Sequence, residues 1–180
     1  MTDGERTEAL LIGGRSGVGK STVGWELSAQ LQAVRIAHAY VEGDILDQIF
    51  PAPESDPTRA KITEANLAAL WRNYAAAGCR RLIYTNTVSV LEPDLIARAM
   101  GGSPRVTMVL LTAEDATARQ RLSGREIGSQ FEPHVERSAK MSEHLENTVP
   151  DSVRRVRTDG RTVVEIAREI VGLTGWAVDG

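Results

Sequence analysis

The segment "LLIGGRSGVGKST" (residues 10–22) follows a short apolar run with four glycines and then a lysine trailed by two hydroxyl side chains. Gly14, Arg15, Ser16, Gly17, Val18, Gly19, Lys20 and Ser21 fit G-x-x-x-x-G-K-[ST], a pattern that cradles phosphate. Glycines let backbone N–H groups converge on phosphate oxygens where a side chain would stand in the way. Lys20 can reach the β- and γ-phosphates of a nucleoside triphosphate as a point charge, and the Ser21 hydroxyl is suited to ligate Mg²⁺. A helix opening at this point adds the positive end of its dipole. Gly14, Ser16, Gly17, Val18, Gly19, Lys20, Ser21 and the adjoining Thr22 are therefore the candidate nucleotide-binding set.

Two further clusters carry charge suited to chemistry. "YVEGDIL" ends in the acids Glu42 and Asp44, and "RQRLSGREIGSQ" holds Arg121 and Arg125 four residues apart, on one face if the segment is helical. Arginines can neutralise a phosphoryl group in transfer, and a guanidinium can stack on adenine. Arg119 and Arg137 are further members of this basic set. His38, His134 and His144 have no metal-ligand spacing, and Trp25, Trp71 and Trp176 are expected in packing roles.

These residues need a scaffold, and the patterning supplies one. "EALLIGG", "VRIAHAYVEGD", "CRRLIYTNTV", "RVTMVLLT" and the weaker "SVRRVRTD" read as strands. Between them "KSTVGWELSAQLQ" sets Val23, Leu27 and Leu31 on one helical face. "TRAKITEANLAALWRNYAAAG" is a long helix stopped by Gly78; "EPDLIARAM", "AEDATARQRLSGRE", "PHVERSAKMSEHLEN" and "GRTVVEIAREIVGLTG" are helical as well. "ILDQIF" reads as a short helix, broken by the proline-rich loop "PAPESDP". Strands alternate with helices and have apolar centres, which predicts one α/β domain with a parallel sheet covered on both faces.

Composition narrows the rest. The 180 residues fit one domain, residues 1–180, and the net charge of −3 gives no basic excess to suggest a nucleic-acid partner. Cys79 is the single cysteine, which excludes a disulfide framework or a cysteine-rich metal site and fits a reducing cytoplasm. No run is long enough for a membrane span, and "MTDGERTE" is unlike a secretory signal. Oligomeric state is not legible.

On these motifs the chain resembles small P-loop kinases of the nucleoside-monophosphate-kinase-like group, among them gluconate kinase, adenylylsulfate kinase, chloramphenicol phosphotransferase and tunicamycin-resistance-type proteins. The resemblance implies a three-layer P-loop NTPase fold with a five-stranded parallel sheet in order 2-3-1-4-5, a small lid at about residues 124–137, and ATP with Mg²⁺ as cofactors. By likeness to the strand-end "DGD" or "GD" of such kinases, Asp44 would face an acceptor hydroxyl, orienting it and taking its proton, or would bind Mg²⁺ through water. Glu42 would stand beside it as a substrate contact, with Arg137. "RQRLSGRE" is similar to the "ERLxGRR" that opens the adenylate kinase lid, which makes Arg121 and Arg125 catalytic candidates and Gly124 and Gly128 hinge candidates. Thr158, Asp159 and Gly160 of "RTDGRT" would border adenine, mainly through backbone groups.

The chain also departs from the pattern. "IYTNTV" lacks the usual Walker B aspartate, leaving Thr85 or Asn86 to make a polar contact there. "FPAPESDP" matches no monophosphate-binding segment. The expected activity is phosphoryl transfer from ATP to a hydroxyl of a small metabolite or antibiotic-like molecule, in a pocket drawing on "DILDQIFPAP" and on Arg72, Asn73 and Tyr74. The rivals are a nucleotide or polynucleotide-end kinase and a regulatory ATPase that transfers nothing; no N-K-x-D motif supports a GTPase.

Overall fold

A computed structural model describes residues 6–124 and 131–176. Five parallel strands form one sheet in the order β2-β3-β1-β4-β5, as the resemblance implied. The strands are β1 (Glu8–Gly13), β2 (Ala39–Glu42), β3 (Arg81–Thr85), β4 (Arg105–Thr112) and β5 (Arg154–Arg157). The helices are α1 (Lys20–Ala33), α2 (Ala60–Ala76), α3 (Pro93–Ala99), α4 (Asp115–Ser123), α5 (Phe131–Thr148) and α6 (Val163–Thr174).

The period-two alternation of β1 explains the layers. Leu10 and Ile12 enter a core with Val23, Leu27 and Leu31 of α1 and Ile166 and Ile170 of α6. Ala9 and Leu11 enter a second core with Leu67 and Trp71 of α2 and Leu95 and Ile96 of α3. Both faces of the central strand are thus buried, which is why its sequence is continuously apolar. A third cluster seats α5 through Leu145 against Val90 and Leu110. Trp71 and Trp176 are buried, while Trp25 is 62% exposed and meets the Tyr40 ring edge-on at 4.9 Å.

Two local expectations change. The second strand begins only at Ala39, and "ILDQIF" holds a single 3₁₀ turn, Gly43–Ile45, before irregular chain. His38 precedes the strand and is spent on structure, bonded to Ser28 Oγ at 2.8 Å and to the Ile36 carbonyl at 2.8 Å. Residues 131–137 of the expected lid belong to α5; Arg125 and Gly128 lie outside the described residues.

The strand order brings the C-terminal ends of β1 and β3 side by side, with Ile12 opposite Thr85, and sets β2 beside β3 with Glu42 opposite Thr85. The phosphate-loop motif, the acidic strand end and the polar end of β3 therefore open onto one edge of the sheet. Among the described residues, no helix is long and apolar enough to cross a membrane.

Candidate active site

The loop between β1 and α1 is shaped by close approach. Gly17 has φ 82°, and a Cβ there would lie 2.6 Å from the Ala118 carbonyl of α4. Only glycine accepts both the left-handed backbone and the contact. Lys20, 9% exposed, donates from Nζ to the carbonyls of Gly14 (2.7 Å) and Arg15 (3.2 Å). The ammonium is folded back over the loop, at the place where phosphate oxygens would compete for its protons. Ser21 follows in the first turn of α1.

Arg15 anchors the loop from behind, a role its place among the variable positions of the motif did not reveal. Its side chain is 3% exposed, pairs with Asp115 of α4 and donates from Nε to Ser138 Oγ of α5 at 2.9 Å. Ser138 in turn donates to the Ser16 carbonyl at 2.8 Å. One buried cation thus ties the phosphate loop to the two helices that flank residues 125–130.

Across the crevice, Asp44 sits in the turn after β2. A side chain at Gly43 would collide with the Tyr84 hydroxyl and with Asn86, so glycine lets the turn press against β3. There Asn86 donates from Nδ2 to Asp44 Oδ1 at 2.8 Å and accepts from the Val88 N–H at 3.0 Å. The residue after β3, which lacks the Walker B charge, instead orients the neighbouring carboxylate. Glu42 accepts from the Tyr40 hydroxyl at 3.1 Å. Desolvation by surrounding protein pushes the Asp44 carboxyl above its ordinary value; Lys20 pulls it down, and Asp47 and Glu42 add to the rise. Glu92, also held above its ordinary value by burial and then by Asp47, extends this acidic edge.

Asn86→Ala removes the group that aims Asp44 while leaving every charge in place. We expect the rate of phosphoryl transfer to fall about 10- to 100-fold, in line with the cost of misplacing a reacting group, with ATP affinity unchanged. Single-turnover kinetics beside a nucleotide titration measures both.

On the other side of the loop lies a cavity of about 430 Å³ with an apolar wall from Val23, Val163 and Ile166. Arg121 lines it, donating from Nη1 to the Val18 carbonyl (3.1 Å) and Thr158 Oγ1 (2.9 Å) and from Nη2 to the Thr158 carbonyl (3.3 Å). Arg121 is therefore held flat between the loop and the turn after β5, with room for a planar ring beside it. Asp159 turns away: its carboxylate accepts from the Glu114 N–H at 3.1 Å and Arg157 Nε at 3.1 Å. Burial alone would raise its pKa, but the hydrogen bonds from Thr117, Glu114 and Arg157 outweigh it and hold the carboxyl below its ordinary value. The cavity is lined by Thr158 and Arg161 on either side of Asp159 and Gly160, so an adenine contact by those two would rest on backbone alone. Arg121→Ala is expected to weaken ATP binding by about 10- to 100-fold, the loss of one or two charge-assisted contacts, with a cooperative melt retained. Calorimetric titration with a non-hydrolysable analogue reads it.

The remaining candidates separate. Arg137 lines a smaller cavity with Ser16, Thr87, His134 and Ser138, which brings it beside the phosphate loop. Arg119 is engaged elsewhere, bonded to Glu132 and 5.2 Å above the Phe131 ring, joining α4 to α5. Arg72 opens on a different groove, with Trp71 and Arg98, and takes no part in the cavity beside Asp44.

Mg²⁺ would find Ser21 and triphosphate oxygens; no group of three or more His, Cys, Asp or Glu among the described residues is arranged to hold a metal. This donor set fits a cation that arrives with its nucleotide.

A glycine-shaped loop closing on a helix N-terminus, with a parallel sheet in this order, defines a P-loop nucleotide-binding domain of the kinase type. The chain belongs to the AAA domain family, whose model matches residues 10–138. A cytidylate kinase from Symbiobacterium thermophilum is 26% identical over 176 residues, covering 89% of this chain and 75% of that protein. The fold recurs in a gluconokinase from Sinorhizobium meliloti (TM-score 0.57, 19% identity, 93% of this chain and 91% of that one). It recurs again in the tunicamycin resistance protein of Deinococcus radiodurans (TM-score 0.61, 19% identity, 94% and 96%).

Proposed function

We propose that the protein is an ATP- and Mg²⁺-dependent kinase that phosphorylates a hydroxyl of a small molecule. The observation that carries this reading is Asp44, a carboxylate aimed by Asn86, placed across an open crevice from the phosphate loop and close enough for Lys20 to act on its charge. An oriented carboxylate could serve a water as well as a hydroxyl; what favours an acceptor is the cavity of about 440 Å³ that opens beside it.

In this mechanism the loop amides and Lys20 hold the triphosphate, and Lys20 leaves the carbonyls of Gly14 and Arg15 to do so. Arg121 holds the adenine side. Ser21 would hold Mg²⁺, which when bound would neutralise charge at the phosphates. Asp44 aligns the acceptor hydroxyl and takes its proton, a task to which its raised pKa suits it. Arg125 and Arg137 are proposed to add positive charge at the transferring group. A single domain with a lid near residues 124–137, acting in the cytoplasm without a nucleic-acid partner, completes the reading.

A second reading, a nucleoside monophosphate as acceptor, is favoured by the cytidylate kinase relative. A coupled assay of ADP release tests both: neutral polyols, sugar acids, aminoglycoside-like alcohols and CMP are offered in turn. Acceptor-stimulated ADP release with a hydroxyl phosphorylated in the product supports the first reading, and stimulation by CMP alone supports the second. ADP release indifferent to every acceptor would favour the regulatory ATPase.

A further inference from the structure

Position 15 is one that the phosphate-loop pattern leaves open to any residue, yet it holds a guanidinium that is only 3% exposed. Burying a cation costs solvation that an interior ion pair seldom repays against apolar packing of the same volume. The pair is also lopsided. Asp115 keeps 79% of its side chain exposed, so that carboxylate would be solvated without Arg15. Stability alone gives little reason for an arginine here, and its contacts supply another.

Three successive carbonyls of the loop are engaged. Those of Gly14 and Arg15 accept from Lys20 Nζ at 2.7 and 3.2 Å, bonds that end when the ammonium turns to phosphate. The Ser16 carbonyl accepts instead from Ser138 Oγ at 2.8 Å, a bond that phosphate need not displace. Ser138 is 3% exposed, and Arg15 Nε donates to the same Oγ at 2.9 Å. A serine hydroxyl has one proton and two lone pairs. With the Arg15 N–H on a lone pair, the proton is left for the Ser16 carbonyl. The peptide bond is planar and trans, so a carbonyl and the next N–H point opposite ways. Holding the Ser16 carbonyl toward α5 therefore turns the Gly17 N–H away from α5. The cavities agree with this division: Ser16 and Ser138 line the smaller one, and Gly17 lines the larger one beside Arg121. Among the described residues the Gly17 N–H makes no backbone hydrogen bond.

We infer that Arg15 is a positioning residue for nucleotide binding: acting through Ser138 of α5, it fixes the Ser16–Gly17 peptide so that the Gly17 N–H is presented to phosphate. Arg15 touches neither nucleotide nor acceptor in this role. It sets the hydroxyl proton of Ser138, Ser138 sets the carbonyl, and the carbonyl sets the amide. The device keeps one phosphate-facing donor in place at the moment when Lys20 releases its own two carbonyls. It requires only that the loop binds phosphate, and it holds whichever acceptor is used.

The test uses the full-length protein with Mg²⁺ and two separate probes, inorganic tripolyphosphate and adenosine, followed by NMR titration with the Gly17 amide assigned. Arg15→Met fills the volume without the charge, and Ser138→Ala removes the relay while leaving the Arg15 pair with Asp115. Thermal melts confirm that each variant is folded, and either one alone suffices if the other is not. In the native chain tripolyphosphate should move the Gly17 amide proton downfield. In each variant that shift should shrink and tripolyphosphate affinity should fall about 5- to 30-fold, the loss of one charge-assisted hydrogen bond. Adenosine affinity should stay within about twofold, and the double variant should bind tripolyphosphate within about twofold of the weaker single one, because both changes act on one peptide. A Gly17 amide that responds to tripolyphosphate as fully in the variants as in the native chain overturns the inference. So do equal losses for tripolyphosphate and adenosine, which would mark a general loosening, and losses that multiply in the double variant. A native chain that binds no tripolyphosphate would overturn the phosphate-loop reading itself.

Discussion

Lys20→Ala is expected to lower ATP turnover by about 10²- to 10³-fold or more, the scale seen when one preorganised donor to developing charge is removed. The protein should remain folded. Lys20 contributes its charge at the mouth of the loop, and its Nζ bonds run to the Gly14 and Arg15 carbonyls, with no core packing lost around them. Losing those two bonds should cost about 1–3 kcal/mol, a fraction of a domain's stability. Turnover assays and a thermal melt on one preparation separate the two effects. Lys20→Arg is no rescue, because a broad fork does not replace a point charge in a loop this tight.

Asp44→Asn is expected to reduce transfer by about 10²- to 10⁴-fold, the contribution of a positioned base, with ATP binding close to native. The amide preserves size and can still meet Asn86, so the loss isolates charge and proton acceptance. The pH dependence follows from the direction of the shift. The Asp44 carboxyl titrates above its ordinary value of 3.8 in the folded protein, first because of desolvation. The ionised form is the active one, so kcat/KM should fall as pH drops through that raised value, and the acid limb should disappear in Asp44→Asn.

Stability should move the other way. Between the ordinary and the raised pKa the folded state binds more protons than the unfolded state, so stability falls as pH rises across that window and stays lower above it. Asparagine removes that cost, and Asp44→Asn should melt no lower than the native chain at neutral pH. A variant that is inactive and no less stable is the signature of a residue kept for chemistry.

What was legible in the sequence followed from local physics. The loop from Gly14 to Ser21 could be read because phosphate binding demands glycines and a lysine at fixed spacing, and the sheet because strands buried on both faces must be apolar throughout. Sheet order came from resemblance, since nothing in the spacing of β2 and β3 says which neighbours which. The missed contacts are all long-range. Arg15 looked like a variable loop position, yet it holds Ser138, 123 residues away. Asn86 was recognised as the residue standing where an aspartate was expected, but its bond to Asp44 depends on β2 lying beside β3. Conversely, Arg119 carries the right charge in the right motif, and only its folded partner Glu132 shows that charge committed to joining α4 to α5.

The central claim is that Asp44 activates an acceptor hydroxyl opposite the phosphate loop. Its most direct measurement is transfer from γ-¹⁸O-labelled ATP, with products of the native chain and of Asp44→Asn resolved by mass spectrometry across the acceptor series. The account predicts labelled phosphate on an acceptor hydroxyl with the native chain, and loss of that product in Asp44→Asn while the ATP analogue still binds. Labelled phosphate appearing only as free phosphate with every acceptor, or an acceptor product formed equally well by Asp44→Asn, would contradict it.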